Sequence, residues 1–136
     1  MKTVIDANVL FAALLKDGMT RRLLFNPDLQ LYAPKFIARE YLKYRTYLLG
    51  KYAYGEKKFD ALIRDVLSFI ELVPDRELKP YLPAARTLVS DPKDWLYVAV
   101  ALKENAAVWS NDKDLKAQTR IPVYSTAELA KKVGIL

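Results

Sequence analysis

The chain of 136 residues contains no cysteine and no histidine. Without cysteine there are no disulfides, thiolate zinc sites or cysteine nucleophiles, and without histidine there is no HExxH zinc site and no Ser-His-Asp arrangement. Any catalysis falls to carboxylates, lysines, hydroxyls or a cofactor. Four glycines and seven prolines are too few for a low-complexity linker or a collagen-like chain. Neither the glycine-rich dinucleotide fingerprint nor a GxxxxGK[ST] phosphate loop occurs. No apolar run approaches the roughly 18 residues of a membrane span. Lys2 with the apolar run Val9 to Leu15 loosely imitates a leader, but Asp6 and Asn8 interrupt it and no small-residue cleavage site precedes Lys16 and Asp17. The segment reads as mature structure, and a soluble cytoplasmic protein without membrane attachment is the expectation.

What is present is ordinary globular material, 52% hydrophobic and 28% charged, of a length that suits one domain over residues 1–136. Twenty-two bases against 16 acids leave a net charge of +6, which favours a polyanionic partner.

Hydrophobic periodicity alternates between short β-branched or apolar runs and helical stripes. Lys2 to Ile5 reads as a buried strand ending at Asp6, and Asn8 to Lys16 as a helix apolar on nearly all sides. Asp17-Gly18 breaks it, and Thr20 is placed to cap a short basic helix through Phe25. Leu29 to Ala33 reads as the second strand. Pro34 is expected to open a long helix through about Tyr47, with Ile37, Tyr41, Tyr44 and Leu48 as its buried stripe, and Glu56 to Ile70 repeats the pattern after a loop near Tyr54-Gly55. Then follow a short strand at Leu72-Val73, a short helix at Pro83 to Leu88, and a helix started by Asp91-Pro92 that runs through Leu102. Strand Ala106 to Ser110, a short helix Asp112 to Gln118, strand Val123-Tyr124 and a helix capped by Ser125 or Thr126 complete the chain. This alternation predicts an α/β fold with a parallel sheet and helices on both faces, in which the active crevice lies beyond the carboxyl ends of the strands.

Acids at those ends draw attention. Asp6 follows the first strand and Asp112 follows the strand Ala106 to Ser110, although either can act simply as a helix cap. Asp94 falls in a first helical turn, where the helix dipole favours a carboxylate regardless of function. Glu40 lies about 60° from the centre of its helix's apolar stripe at 100° per residue. A carboxylate at the core margin calls for a basic partner or a cation.

Asp6-Ala7-Asn8-Val9-Leu10, a helical Glu40, Asp91-Pro92-Lys93-Asp94 followed by Trp95 to Leu102, and Ser110-Asn111-Asp112-Lys113-Asp114-Leu115 together resemble the PIN domain nucleases, over essentially the whole chain and in order. The last two blocks are the specific part. The resemblance implies a three-layer α/β/α sandwich, Rossmann-like, with a central parallel sheet of four to five strands and a protruding helical pair. It further implies a divalent-metal ribonuclease whose catalytic and metal-binding acids are Asp6, Glu40, Asp94 and Asp112, with Mg²⁺ or Mn²⁺ as cofactor. Asn8 and Ser110 match positions that orient the cluster, and Asp114 matches an acid present in part of the family. Stand-alone archaeal and bacterial members, the VapC-like toxins among them, are often homodimers neutralised by an antitoxin protein, which makes RNA, an antitoxin and a second copy the expected partners. A catalytically silent PIN-like RNA-binding or RNA-processing module is the rival reading. Haloacid-dehalogenase-like phosphatases want D-x-D where Asn8 stands, and receiver domains want an acid pair that has no room upstream.

Carboxylates offer hard oxygens to Mg²⁺, which takes one or two of them and keeps waters and phosphate oxygens for the rest. With the four candidate acids set aside, 12 acids face 22 bases on the remaining surface. Arg21, Arg22, Lys35, Arg39, Lys43 and Arg45 are the candidate phosphate contacts, joined by Lys51, Lys57 and Lys58, with Tyr52 or Tyr54 as a stacking ring for an unpaired base. Tyr41 and Tyr44 are expected in the core.

Overall fold

The computed structural model describes residues 1–136. Five strands, β1 (Lys2–Ile5), β2 (Gln30–Pro34), β3 (Ile70–Val73), β4 (Ala107–Trp109) and β5 (Val123–Tyr124), form one sheet in the order β3-β2-β1-β4-β5. Every pairing is parallel. Nine helices connect and cover them: α1 (Ala7–Leu15), α2 (Met19–Leu24), α3 (Phe36–Lys51), α4 (Glu56–Ser68), α5 (Asp75–Leu78), α6 (Leu82–Leu88), α7 (Trp95–Glu104), α8 (Lys113–Lys116) and α9 (Thr126–Lys132). Two 3-10 turns, Lys79–Tyr81 and Pro92–Asp94, precede α6 and α7.

Parallel strands are satisfied only when both faces are covered. On one face α7 packs against β1, β2 and β4 and carries α5 and α6 with it, while α1 gathers α2, α3 and α4 into a second group. The result is the three-layer α/β/α arrangement, with α3 and α4 as the long helical pair. A single cluster of 35 buried apolar residues runs through all the layers. No helix is long and apolar enough to cross a membrane.

Local chemistry fixes the ends of these elements. α1 lacks a basic residue in its last turn, and Arg21 from α2 supplies one by donating to the carbonyls of Ala13 and Leu14 at 2.8 and 3.2 Å. Ser125 and Glu128 form a reciprocal capping box at the start of α9. Asn105, in the left-handed region at φ 52°, stops α7.

Several boundaries differ from the sequence reading. Pro34 ends β2, opposite Val73, instead of opening the helix, which begins at Phe36 and continues past Tyr47 to Lys51. Ile70 belongs to β3, where it pairs with Leu31, because an apolar residue at helical spacing serves a buried strand equally well. Gly18, not Thr20, stands at the cap of α2, and α5 was not foreseen. Tyr44 has the spacing of the buried stripe but is 38% exposed, because α3 there passes beside an open pocket.

Candidate active site

The strand order reverses at β1: the chain moves outward through β2 and β3 on one side and through β4 and β5 on the other. In open parallel sheets the crevice at such a switch point is where ligands bind. Ile5 pairs with Trp109, so the residues that leave the sheet side by side are Asp6 and Ser110. Beyond them lies a pocket of about 480 Å³ whose acid wall is Asp6, Glu40, Asp91, Asp94 and Asp112. All four acids expected from the sequence therefore meet at one place. Asn8 lines the same pocket.

Each acid reaches it by a different local device. Asp6 caps α1, accepting from the Val9 N–H at 2.8 Å, and Asp112 caps α8, accepting from the Asp114 N–H at 2.9 Å. Capping and pocket lining thus coincide: each capping bond engages one carboxylate oxygen, Oδ1. The fully buried Ser110 accepts from the Asp112 N–H at 3.0 Å and sets the turn. Asn111 anchors the same turn to α9, accepting from the Thr126 N–H at 3.0 Å and donating to its hydroxyl at 3.1 Å. Asp114 is exposed and does not line the pocket. Asp91 caps the 3-10 turn through the Lys93 N–H at 3.0 Å, and that turn carries Asp94 into the pocket. Glu40 arrives from the second turn of α3, half-buried.

None of these carboxylates has a basic partner: the ion pairs of the molecule involve Asp17, Glu56, Asp60, Glu77, Glu104 and Glu128. Arg39 does not answer Glu40, and Lys93, the one base on the pocket wall, pairs with no acid. The electrostatic consequence is direct. Burial pushes the Asp6 carboxyl above its ordinary value, the charge of Asp112 adds to this, and the Ser110 hydroxyl with the Val9 and Asn8 N–H groups offsets part of it. Asp94 is pushed up to about 6, by burial first and then by the charges of Asp112, Asp91, Asp6 and Asp114. Tyr97 on α7 also lines the pocket, and its hydroxyl is buried without a hydrogen-bond partner.

Hard carboxylate oxygens that no base compensates fit a divalent cation such as Mg²⁺ or Mn²⁺. The acids do not form a finished cage: no three of them stand close enough to hold one ion. That spacing suits a cation that takes one or two carboxylates and completes its shell with water and ligand oxygens.

Phe11 and Leu15 of α1 with Tyr44, Tyr47 and Leu48 of α3 form the apolar part of the same lining. Tyr44 stands edge-on to Phe11 at 5.6 Å, and Tyr47 is 61% exposed with the Lys51 ammonium 5.0 Å from its ring centroid. The sequence places Tyr44 in the core and points to Tyr52 and Tyr54 as stacking rings. Tyr52 instead packs on Phe59, and neither lines the pocket.

The candidate basic residues divide. Arg22, Lys35, Arg39 and Lys43 are exposed without an ion pair. Arg21 is committed to the end of α1 and to Asp17, and Arg45 bridges α3 to α4 through Glu56 at 3.3 Å and Asp60 at 2.7 Å. Both are structural, because their guanidinium groups are already held in place by carbonyls or by two carboxylates.

A family model described as the PIN domain matches residues 4–130. No curated protein matches the chain. Among solved structures, VapBC2 from Rickettsia felis, bound to a DNA fragment from its promoter, superposes with a TM-score of 0.67 at 18% identity, covering 92% of this chain and 98% of that one. FitAcB from Neisseria gonorrhoeae superposes with a TM-score of 0.57 at 14% identity, again over 92% and 98% of the two chains. At these identities the likeness is one of fold.

Proposed function

The chain belongs to the PIN domain family, and from that premise we propose that it is a divalent-metal-dependent endoribonuclease. The observation that carries the reading is the pocket at the switch point, where Asp6, Glu40, Asp94 and Asp112 face one another without a basic partner in a chain of net charge +6. Asp6 and Asp112 would hold the ion through their carboxylates, with Asp94 and Glu40 completing the acid side. When bound, Mg²⁺ or Mn²⁺ lowers the pKa of a water and offsets charge on phosphodiester oxygens. The chain's own part is orientation. Ser110 and Asn111 fix the turn that presents Asp112, and the capping bond fixes Asp6. Lys93 adds a positive charge where a phosphate would enter, and the exposed Arg22, Lys35, Arg39 and Lys43 supply a field that attracts the backbone. Tyr44 and Tyr47 offer faces for an unpaired base.

The likeness to VapBC2 and FitAcB, which are toxin–antitoxin complexes, supports a further step: this chain acts in the cytoplasm as the toxin of such a pair, as a homodimer held in check by an antitoxin. The test of the core reading is cleavage of a pool of structured and single-stranded RNAs by the purified protein with Mn²⁺, with Mg²⁺ and with EDTA. Cutting should require the metal. The Asp6→Asn and Asp94→Asn variants should lose at least about 100-fold, the upper end of what losing a mere supporting partner costs a metal site. RNA retained on the protein without cleavage in any metal would turn the reading to a silent RNA-binding module. Growth arrest on expression, absent with Asp94→Asn, tests the toxin step separately.

A further inference from the structure

Tyr97 is the least explained residue of the pocket. It lies three positions beyond Asp94 in the first turn of α7, is only 3% exposed, and lines the same pocket as Asp94 and Glu40. Buried tyrosine hydroxyls ordinarily find a partner, and leaving one unmatched is costly. Phenylalanine would fill the same space without that cost. The groups whose charge acts on the Tyr97 hydroxyl are Glu40 first, then Asp6 and Asp94. All three are acceptors, and the phenol keeps its proton among them, so the hydroxyl can only be a donor there.

The three acceptors differ in what they already hold. Asp6 accepts from the Val9 N–H and is turned toward Ser110, and Asp94 is fixed on the 3-10 turn that Asp91 caps. Glu40 has no hydrogen bond and no ion pair, and three side-chain torsions separate its carboxylate from α3. The Asp94 carboxylate also lacks a hydrogen bond, but its shorter side chain is held closer to the backbone, so Glu40 is the pocket acid with the most freedom.

We propose that Tyr97 is a positioning residue whose hydroxyl donates to the Glu40 carboxylate when a divalent cation draws the acids together, fixing Glu40 as a ligand from α3. The proposal rests on the metal-site reading above and goes beyond it, because it assigns an orienting group to an acid that has none. Outer hydrogen bonds of this kind hold ligands in register and typically contribute about 10–100-fold in metal affinity.

The experiment is calorimetric titration of Mn²⁺ into the EDTA-dialysed full chain, with Tyr97→Phe, Glu40→Gln and the double variant in parallel and melting temperatures recorded before metal is added. Tyr97→Phe should bind Mn²⁺ about 10–100-fold more weakly. Its metal-free melting temperature should equal or exceed the parent's, since the change removes an unmatched hydroxyl and leaves no cavity. In the Glu40→Gln background, Tyr97→Phe should have no further effect on Mn²⁺ affinity. Parent-like affinity in Tyr97→Phe, an equal loss with and without Glu40, or a lowered metal-free melting temperature overturns the proposal. A parent chain that binds Mn²⁺ with this pattern yet cuts no RNA would end the nuclease reading and leave the Tyr97–Glu40 link standing.

Discussion

Acids on the outer surface and acids at the carboxyl end of the sheet live in opposite surroundings. On the surface, Glu104 sits between Lys103 at 2.8 Å and Lys2 at 3.7 Å, Asp60 meets Arg45 at 2.7 Å, and Glu128 meets Lys116. Their charges are answered, and the lysine hydrogen bonds hold Glu104 below the usual carboxylate value and Glu128 down to about 2. In the pocket no base pairs with an acid, and burial with mutual repulsion raises Asp6 and Asp94 instead. A chain with 22 basic residues has ample means to neutralise four carboxylates. That it spends those bases elsewhere marks the pocket as a place where local stability is given up for the capacity to take in positive charge.

The widest way to break the contrast is to supply that charge. A cation that binds the folded chain and not the unfolded one adds about 2.7 kcal/mol of stability at a hundred times its dissociation constant. Differential scanning calorimetry with millimolar Mn²⁺ or Mg²⁺ should therefore raise the melting temperature of the parent, and raise it much less in Asp94→Asn. An unchanged melting temperature in the parent would mean that the pocket acids do not take a divalent ion.

Acid should remove the contrast from the other side. In the metal-free protein the Asp94 carboxyl titrates near 6, against about 3.9 in an unfolded chain. Between about pH 4 and 6 the folded form thus keeps a proton that the unfolded form has lost, and stability falls as pH rises through that window. Partial exposure to water discounts the shift to about 1–2 kcal/mol. The paired surface acids act in the reverse sense: the stability they contribute is complete above about pH 4.5 and is lost as pH falls toward their lowered values. Chemical denaturation in EDTA should accordingly find maximal stability near pH 4 to 5, not at neutrality. Asp94→Asn should flatten the limb above that maximum, and an unflattened limb would assign the slope to other groups.

The sequence made the strand-end acids legible because a strand followed directly by an acid admits few placements. Asp6 after Ile5 and Asp112 after the Trp109 strand had to leave the sheet at the same edge once the strands were parallel. Spacing was a weaker guide on α3. Period 3.6 gives the phase of Ile37, Tyr41, Tyr44 and Leu48 but not what lies over each, and at Tyr44 the covering layer gives way to the pocket. Tyr97 was hidden for the converse reason: inside the apolar run Trp95 to Leu102 it reads as one more core residue, and only three-dimensional packing reveals an unmatched hydroxyl among carboxylates. The roles of Arg21 and Arg45 were equally closed to composition, since a basic side chain's partner eight or fifteen residues away depends on how helices turn back on each other.

That last distinction carries the finest test of the comparison, because the bases divide as the acids do. Arg39 and Lys43 on α3, and Lys35 just before it, form no ion pair, whereas Arg45 on the same helix is held by Glu56 and Asp60. A free base that neutralises one phosphate of a single strand contributes about 0.7 to the slope of log affinity against log salt. Changing Lys35, Arg39 or Lys43 to glutamine should each lower that slope by up to this amount in fluorescence anisotropy with a labelled RNA oligonucleotide, with the melting temperature unaltered. Arg45→Gln should do the opposite, leaving the slope as it was and lowering the melting temperature as the α3–α4 link is lost. A slope that drops with Arg45→Gln and not with the other three would reverse the assignment and move the nucleic-acid face from the exposed edge of α3 to its junction with α4.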